Sequence, residues 1–403
     1  MERADDKMMI QTDTVFDNPV KLPDIYWEEA NKPMEFSRVE IYTLNPIRVD
    51  RPFFDATAGP FPYIAYSCWL VLWDENNIMG QVPCSKYMAD MVLPFIKEGG
   101  RKTPLQWYQD LYWKLRNFGF ASTAFVELGR FDMAMHDIMA KRAGLPLHRF
   151  LGAKRDWVKV YASGFSADIM EKEELIAEAE KLLKDGYTCF KVKSAGNFGT
   201  HIEEDVKRLE YIQKLLGEDA SIAVDVNQLW NAKHALEFIK RIEHLNIAWY
   251  EEPVHSYDIQ ELEKLTAECP VPISMGESMR NRYQFYPYIK AGVSHLQPIP
   301  DNLCGVREWV SVRDQALEAG LTLSSGGFSH QTADYIATAR EEDMVEYLYP
   351  LMNKLYQMMD VRPVEKDGMF LLSNEIGSGT RPDFAAWEKL GYVANKEIFK
   401  PGK

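Results

Sequence analysis

Eight short apolar runs, separated by amphipathic segments, occupy residues 158–349 of this 403-residue chain. Each run has the composition of a strand, and each intervening segment has the apolar spacing of a helix that packs on one face. Strands that alternate with helices normally form a parallel sheet. Eight such units in about 190 residues therefore predict a closed parallel β/α barrel. The predicted strands are VKVYASGF, TCFKVKS, SIAVDVN, IAWYEEP, PISMGES, SHLQPI, LTLSSGG and MVEYLY.

A doubly wound open sheet is the alternative arrangement of alternating strands and helices. That fold normally carries a glycine-rich G-x-G-x-x-G turn between an early strand and the next helix. No such turn occurs in the sequence. The barrel is therefore the favoured prediction, and its catalytic groups are expected at the carboxyl ends of the strands.

Three other regions accompany the predicted barrel. The first 33 residues contain three prolines, which interrupt regular elements, so an irregular extension is expected there. The next region begins with strand-like runs and continues with helical periodicity, which predicts an α+β domain. The predicted divisions are an N-terminal extension over 1–33, an α+β domain over 34–155, a barrel domain over 156–360 and a C-terminal segment over 361–403 that packs back on the α+β domain.

The composition excludes several kinds of partner. The formal net charge is −14, whereas nucleic-acid binding needs a basic surface, so nucleic acid is not an expected partner. No apolar run approaches the ~18 residues of a membrane span, and the N-terminus has no apolar signal-peptide core. The five cysteines are scattered without C-x-x-C spacing, which favours reduced thiols and a cytoplasmic location.

Acidic residues end three consecutive predicted strands. Asp225, Glu251 and Glu277 follow one another at intervals of 26 residues, so one strand-helix unit separates each carboxylate from the next. Carboxylates that converge on one barrel mouth repel each other, and burying them unpaired is unfavourable. A hard divalent cation with oxygen ligands removes that repulsion. The alternative is that each acid caps a helix or faces water, but three in register favour a Mg²⁺ site.

Two lysines end the preceding predicted strand. Lys191 and Lys193 are two positions apart, so their side chains point to the same side. Two neighbouring ammonium groups lower each other's pKa, and a nearby metal ion lowers it further, which suits a general base. A surface pair that binds carboxylates on a neighbouring helix is the other interpretation of this pattern.

These motifs resemble the mandelate racemase and muconate-lactonising branch of the enolase superfamily. The matching motifs are KVK (191–193), DVN (225–227), EEP (251–253) and GES (276–278), in that order. The segment GRFDMAMHDIMAKRAGLPLHRFLGA (129–153) is similar to the helix that joins the two domains of that family. The resemblance implies a modified (β/α)7β TIM barrel with an α+β capping domain, over about residues 34–390.

The resemblance implies a role for each strand-end residue. Asp225, Glu251 and Glu277 bind Mg²⁺; Lys193 removes the proton α to a substrate carboxylate, and Lys191 contacts that carboxylate. Asn227 is expected beside the metal or substrate, and Glu346 against the substrate carboxylate. Loops within 45–65 are expected to contact the substrate, which is a small carboxylate, and the family resemblance implies a homo-oligomer.

The sequence departs from the family where a second acid/base is expected. The mandelate racemase type pairs a His after strand 7 with an Asp after strand 6, but Gly326 and Ile299 occupy those positions. Gly326 is 20 residues before Glu346, the family's spacing. His330 and His295 are the remaining candidates for a second acid, and both have a structural role as the alternative. Only one side of the site therefore has an evident base.

One base suits β-elimination better than racemisation, which needs groups on both sides of the substrate carbon. We therefore favour dehydration of a sugar acid to a 2-keto-3-deoxy product, which makes the chain a hydro-lyase. Aromatic residues between positions 53 and 66 are candidates for stacking on a polyol. An epimerase, racemase or cycloisomerase is the first alternative. A metal-binding protein that has lost catalysis is the second.

Overall fold

The first sheet is antiparallel in the computed structural model, which describes residues 20–166 and 170–402. β1 pairs with β4, and β4 with β5, whereas β2 and β3 form a separate two-stranded ribbon. The burial of β4 is almost continuous, as expected for a central strand that is covered on both faces. The strands are β1 (Phe36–Leu44), β2 (Arg48–Phe53), β3 (Phe61–Tyr63), β4 (Cys68–Asp74) and β5 (Met79–Cys84).

Helices complete the capping domain. The helix Thr123–Arg142 packs against β4 and β5, and most of its residues are buried. Thr103 caps the helix Pro104–Leu115, because its side chain accepts a hydrogen bond from the Gln106 backbone N–H at 3.2 Å. The other helical segments here are Asp24–Ala30, Met88–Val92 (a π-helical turn), Leu93–Ile96 and Arg116–Phe118 (3-10 turns) and Leu147–Phe150.

The predicted irregular extension over residues 1–33 contains a helix, Asp24–Ala30. Pro23 directly precedes this helix, at a position where the missing N–H interrupts no intrahelical bond. The proline therefore borders a regular element instead of breaking one. The prediction for residues 1–19 lies outside the described residues.

The parallel strands close into a ring. Each of the eight barrel strands pairs in parallel with the next barrel strand, and the last of them pairs in parallel with the first. This confirms the predicted barrel with an α+β cap and excludes the open sheet. The strands are β6 (Trp157–Ser166), β7 (Cys189–Lys193), β8 (Ser221–Asp225), β9 (Ile247–Glu251), β10 (Ile273–Met275), β11 (His295–Leu296), β12 (Thr322–Ser325) and β13 (Met344–Leu348).

Amphipathic helices follow the strands and bury their apolar faces against the barrel. The helix Ala232–Ile242 begins where the Asn231 side chain accepts a hydrogen bond from the His234 backbone N–H at 3.0 Å. Its buried residues recur at helical spacing. The other helices are Lys172–Lys184, Gly196–Gly199 (a short irregular turn), Ile202–Leu216, Ile259–Thr266, Arg282–Gln284 (a 3-10 turn), Tyr286–Lys290, Val306–Ala319, Ser329–Ile336 and Tyr349–Gln357.

The C-terminal segment contacts both domains. β18 (Val393–Phe399) pairs with β1 of the cap. The hairpin β15 (Val364–Lys366) and β16 (Met369–Leu371) instead extends the barrel sheet, because β16 pairs antiparallel with β6. β14 (Met359–Val361) pairs with β17 (Arg381–Pro382), and the helix Phe384–Lys389 follows. The domain boundaries given above stay a prediction.

No helix within the described ranges is long and apolar enough to cross a membrane.

Candidate active site

The three predicted metal ligands meet at the carboxyl ends of the strands. One carboxylate oxygen from each of Asp225, Glu251 and Glu277 lies within 4.8 Å of the others. Asp225 and Glu251 are the last residues of β8 and β9 and are aligned in register. Glu277 follows the end of β10 after Gly276, whose φ is +136° and whose hydrogen faces the Phe285 ring. A side chain at Gly276 would collide with that ring, so this turn depends on glycine.

Both predicted lysines join this cluster. Lys191 Nζ lies 2.7 Å from Glu251 Oε1, 3.2 Å from Asp225 Oδ2 and 2.5 Å from Glu346 Oε1. Lys193 Nζ lies 2.5 Å from Asp225 Oδ2. All of these side chains are buried, so water screens the charges weakly. The lysines and carboxylates therefore form one ionic network.

The pKa values of the carboxylates in this network are shifted in opposite directions. Burial raises the pKa of Asp225, but Lys193 and Lys191 lower it by more, so the net pKa lies below the usual range. Burial and the neighbouring Asp225 raise the pKa of Glu251 well above its ordinary value. Burial also raises the pKa of Glu277. Crowded carboxylates with raised pKa values favour the binding of a cation.

The expected lowering of the Lys193 pKa is absent from this arrangement. Burial and Lys191 both lower that pKa, but Asp225, Glu277 and Glu251 raise it by more, and the net shift is upward. The reason is that Asp225 binds the lysine directly. A second ammonium group lowers the pKa of Lys193, but the attraction of the candidate metal ligands outweighs that effect.

The donor set fits a magnesium ion. All three groups are carboxylates, the hard oxygen ligands that Mg²⁺ prefers. The Glu277 carboxylate accepts no hydrogen bond from any side chain in the described ranges, although burial raises its pKa. A cation between these oxygens would give Glu277 the partner that no described side chain supplies by a hydrogen bond.

Asn227 connects the barrel to the cap. Its backbone N–H donates to Asp225 Oδ1 at 3.1 Å, and its side-chain oxygen accepts from the Ala56 backbone N–H at 3.2 Å. The backbone of Asn227 has φ +46°, a left-handed conformation that asparagine tolerates better than most residues. Asn227 therefore lies beside a candidate metal ligand and binds the cap loop.

A cavity of about 500 Å³ opens above these residues. Its floor, the cavity floor, consists of Lys191, Lys193, Asn227, Glu277 and Glu346. The opposite side, the cap wall, includes Phe53, Asp55, Phe61, Tyr63 and Ile64, which lie within the predicted substrate loop 45–65. Two leucines, the leucine pair, complete the lining: Leu348 at the end of β13 and Leu351 in the helix that follows it.

The expected second acid/base position is filled by other groups. A Cβ atom on Gly326 would collide with Glu346 Oε2, so the Glu346 side chain occupies the space that a larger residue would need. Ile299 is buried. The described structure therefore has neither member of the His-Asp pair, as the sequence indicated.

The structure does not bring His295 or His330 to the cavity. His295 Nε2 lies 2.9 Å from Ser324 Oγ, its ring packs edge-on against Trp249, and burial and Lys191 lower its pKa to about 3. The His330 ring packs against Tyr347 and Phe370, and burial lowers its pKa to about 3. Neither ring lines the cavity.

Sequence reasoning missed two residues that orient Glu251. Trp249 Nε1 donates to Glu251 Oε2 at 2.9 Å, and Gln297 Nε2 donates to the same oxygen at 2.8 Å. Trp249 is two positions before Glu251 on β9, so both side chains point into the barrel. That alternation was a usable signal for Trp249. No pattern in the sequence indicated Gln297. It follows β11, and its distance from Glu251 on β9 depends on how β9, β10 and β11 lie side by side.

Asp301 is a further residue that the sequence did not single out. It accepts a hydrogen bond at 2.6 Å from the hydroxyl of Tyr66, a cap residue. The Phe328 backbone N–H also donates to it, at 3.4 Å. Arg130 of the cap lies 3.9 Å from the same carboxylate. Asp301 therefore fastens the cap to the loops after β11 and β12.

Comparison with known proteins agrees with this geometry. Residues 174–386 match the model of the family described as Enolase C-terminal domain-like. Arabinonate dehydratase of Saccharolobus solfataricus is 28% identical over 382 residues, which cover 93% of this chain and 92% of the relative. N-succinyl-L-Arg/Lys racemase of Bacillus cereus is 28% identical over 258 residues, or 60% of this chain and 68% of the relative. These relatives represent the two predicted enzyme classes, lyase and isomerase.

A solved structure shares the fold. The L-talarate/galactarate dehydratase of Salmonella typhimurium, liganded with Mg and L-lyxarohydroxamate, superposes with a TM-score of 0.81 at 21% identity. The match covers 92% of this chain and 95% of that one. The magnesium in that structure agrees with the predicted cofactor.

Proposed function

Because the chain belongs to the enolase C-terminal domain-like family, we propose that it is a Mg²⁺-dependent hydro-lyase that dehydrates a sugar acid. The observation that carries the proposal is the ionic network at the cavity floor and directly beneath it, in which Lys193 lies beside the carboxylate cluster of Asp225, Glu251 and Glu277. The substrate is a small carboxylate that the approximately 500 Å³ cavity accommodates.

The cavity floor defines which end of the substrate reacts. Asp225, Glu251 and Glu277 would hold Mg²⁺, which when bound supplies positive charge beside the substrate carboxylate, where negative charge develops. Lys191 would donate to the same carboxylate group of the substrate. Both interactions stabilise the enediolate more than the starting acid, which is the requirement for catalysis.

Lys193 would remove the proton from C2. Its Nζ now pairs with Asp225 Oδ2 at 2.5 Å, and this attraction favours the charged lysine. A cation held by Asp225 would share the negative charge of that carboxylate, so its attraction on Lys193 would weaken and the neutral lysine would become accessible. The C2–H bond then breaks and the proton moves to Nζ, while its electron pair enters the carboxylate group.

Elimination follows on the same side. The electron pair returns to form the C2–C3 double bond, the C3–O bond breaks, and the leaving hydroxide takes a proton from the Lys193 ammonium group to become water. The resulting enol tautomerises to a 2-keto-3-deoxy acid. One lysine therefore supplies both base and acid, which matches a site with Gly326 and Ile299 where a second pair would lie.

A screen of acid sugars for 2-keto acid formation tests the proposal. The wild-type protein should form a 2-keto acid from at least one sugar acid with Mg²⁺ present, and chelation by EDTA should stop the reaction. Lys193→Ala should abolish turnover of the same acid. Turnover that is unchanged in Lys193→Ala would show that the assigned base is wrong.

An isomerase is the second candidate function, because relatives of this chain include the racemase named above. Product analysis in D₂O separates the two reactions. A dehydratase releases water and yields the 2-keto acid. Deuterium at C2 of the recovered acid, without loss of water, would contradict dehydration.

The proposal also includes a cytoplasmic homo-oligomer. The oligomer rests on the family resemblance, and the location on the cysteines, all of which are free thiols, most of them buried. Light scattering during size-exclusion chromatography measures the oligomeric state, and a monomeric mass at working concentration would contradict it.

A further inference from the structure

The two sides of the cavity differ in chemistry. The cavity floor consists of charged and amide side chains, whereas the cap wall and the leucine pair are almost entirely apolar. Phe61 is 37% exposed and Tyr63 is 46% exposed, and both line the cavity, so the cap wall presents aromatic rings to it. The rings of Phe53 and Phe61 stack at 6.3 Å, which makes this side a continuous aromatic surface.

Polar groups on the far side of the cavity are few. Among the described lining residues, only Asp55 and Tyr63 carry a polar side chain there. Asp55 Oδ1 accepts from the Thr57 backbone N–H at 2.7 Å, the Thr57 hydroxyl at 2.8 Å and the Ala58 backbone N–H at 2.6 Å, so it folds its own loop. Its negative charge disfavours a second carboxylate nearby.

Three of the arginines near the cavity, Arg51, Arg130 and Arg280, are engaged elsewhere. Arg51 pairs with Glu178 at 3.2 Å, and Arg130 pairs with Glu127 at 2.6 Å. Arg280 donates to the backbone carbonyl oxygen of Met279 at 3.1 Å. Lys191 and Lys193 are the only cations among the described lining residues, and both belong to the floor. A distal carboxylate would therefore lose its water without gaining a positive partner among these lining residues.

We propose that the substrate is a monocarboxylate whose end distal to the reacting carbon is apolar: a deoxy sugar acid, not a fully hydroxylated polyol or a dicarboxylate. The inference rests on the proposed function, because the floor decides which end reacts. A methyl group against Phe61, Ile64 and the leucine pair buries apolar surface, whereas a hydroxyl or carboxylate against these same side chains finds no hydrogen-bond partner among them. The expected substrate, a polyol acid, is thereby restricted to sugar acids whose terminal carbon carries no hydroxyl group.

Acids that differ at one carbon test this inference. For each configuration at C2–C5, three probes differ only in C6, which is a methyl, a hydroxymethyl or a carboxylate group. These probes are the 6-deoxyhexonate, the hexonate and the hexarate. With Mg²⁺ present, kcat/KM should be about tenfold or more higher for the 6-deoxyhexonate than for the hexonate, and about 100-fold or more higher than for the hexarate. A hexarate or hexonate that reacts equally well overturns the inference and leaves dehydration intact.

A binding measurement keeps the two proposals distinguishable. Calorimetry with Mg²⁺-loaded Lys193→Ala, which should not turn over, compares the same three probes. Tighter binding of the 6-deoxyhexonate by about tenfold or more, without turnover by the wild type, supports the apolar distal end and refutes dehydration. Equal or tighter binding of the hexarate overturns the inference. Binding of none of the probes overturns both proposals.

A substitution on the cap wall should reduce the preference for the 6-deoxyhexonate over the hexarate. Tyr63→Arg adds a cation at an exposed position, and it should raise kcat/KM for the hexarate relative to the 6-deoxyhexonate by about tenfold. Tyr63→Leu is the matched control and should retain the preference. No change in the ratio for a folded Tyr63→Arg contradicts an apolar distal end at this position.

Arg48 provides a second control. It lies opposite Tyr63 in the β2–β3 ribbon, on the same face, but it does not line the cavity. Arg48→Met should leave the order of the three probes unchanged. A hexarate preference in the wild type that Arg48→Met removes would show that a cap cation serves the distal end, and would overturn the inference.

Discussion

Two regions of the barrel mouth differ in chemistry. The first half is formed by the carboxyl ends of β7–β10, and the second half by the carboxyl ends of β11 and β12. The first half carries Lys191, Lys193 and the three clustered carboxylates. The second half carries Ile299 and Gly326 at the corresponding positions, and its Asp301 binds Tyr66 of the cap. Under the proposed function the first half would supply proton transfer and metal binding, whereas the second half binds the cap through Asp301.

The largest effect is expected from the charged half. Lys193→Ala removes the assigned base, so kcat should fall by about 10²–10⁴-fold, while Mg²⁺ binding, measured by calorimetry, is retained. Lys159→Ala changes an exposed lysine on the neighbouring strand and serves as the control. Comparable losses in both variants would show that the effect of Lys193→Ala is not specific to the site.

The next largest effect is expected when Glu251 loses one of its hydrogen-bond donors. Gln297→Leu removes a donor to Glu251 Oε2, so the affinity for Mg²⁺ should fall by about 10–100-fold. Calorimetric titration of the metal-free protein measures this change. Gln315→Leu, on the outer helix Val306–Ala319, should leave the affinity unchanged. An unaltered affinity in Gln297→Leu would mean that Glu251 is oriented without it.

The second half is tested through its contact with the cap. Tyr66→Phe removes the hydroxyl that donates to Asp301 at 2.6 Å, in a buried setting. Hydrogen bonds to charged groups contribute about 1.5–3 kcal/mol, so the free energy of unfolding should decrease by that order. Urea denaturation measures it, and KM should rise more than kcat falls. A change confined to kcat would place Tyr66 in the chemistry instead.

Gly326 links the two halves through Glu346. Gly326→Ala puts a methyl group against Glu346 Oε2, and overpacking of this kind costs about 1–3 kcal/mol or displaces the carboxylate from Lys191. Thermal unfolding and kcat/KM should both decrease. Gly326→Ala combined with Glu346→Asp shortens the acid and should recover stability. No recovery would show that the strain lies elsewhere.

The smallest effect concerns His330, behind the second half. Burial lowers its pKa to about 3 in the folded protein, whereas a histidine in the unfolded chain titrates near ~6.5. Between these values the unfolded state binds more protons, so stability falls as the pH decreases from about 6.5 to about 3.

His330→Phe should reduce this pH dependence and leave kcat unchanged. Urea denaturation between about pH 4 and 7 should show a slope smaller by up to one proton. His255→Phe, at an exposed position, is the control and should preserve the slope. A large loss of kcat in His330→Phe would instead support His330 as the second acid.

The sequence determined most of the fold and the charged half of the site. Strand-helix alternation predicted the barrel, and the regular interval between Asp225, Glu251 and Glu277 predicted their convergence, since parallel strands in register bring their ends together. Local periodicity and spacing carry this information, so no long-range contact was needed to infer it. The helix Asp24–Ala30 shows the limit of that reasoning, because a proline borders a helix as readily as it interrupts one.

Three properties of the site depend on the tertiary structure: the pKa of Lys193, the orientation of Glu251 and the chemistry of the cavity lining. The upward shift of the Lys193 pKa follows from the 2.5 Å contact with Asp225, and the orientation of Glu251 from Gln297, which directly follows β11. The apolar cap wall faces the charged floor across a cavity that joins residues far apart in the chain. Such properties depend on distances between elements that pack together, and spacing along the sequence does not set those distances.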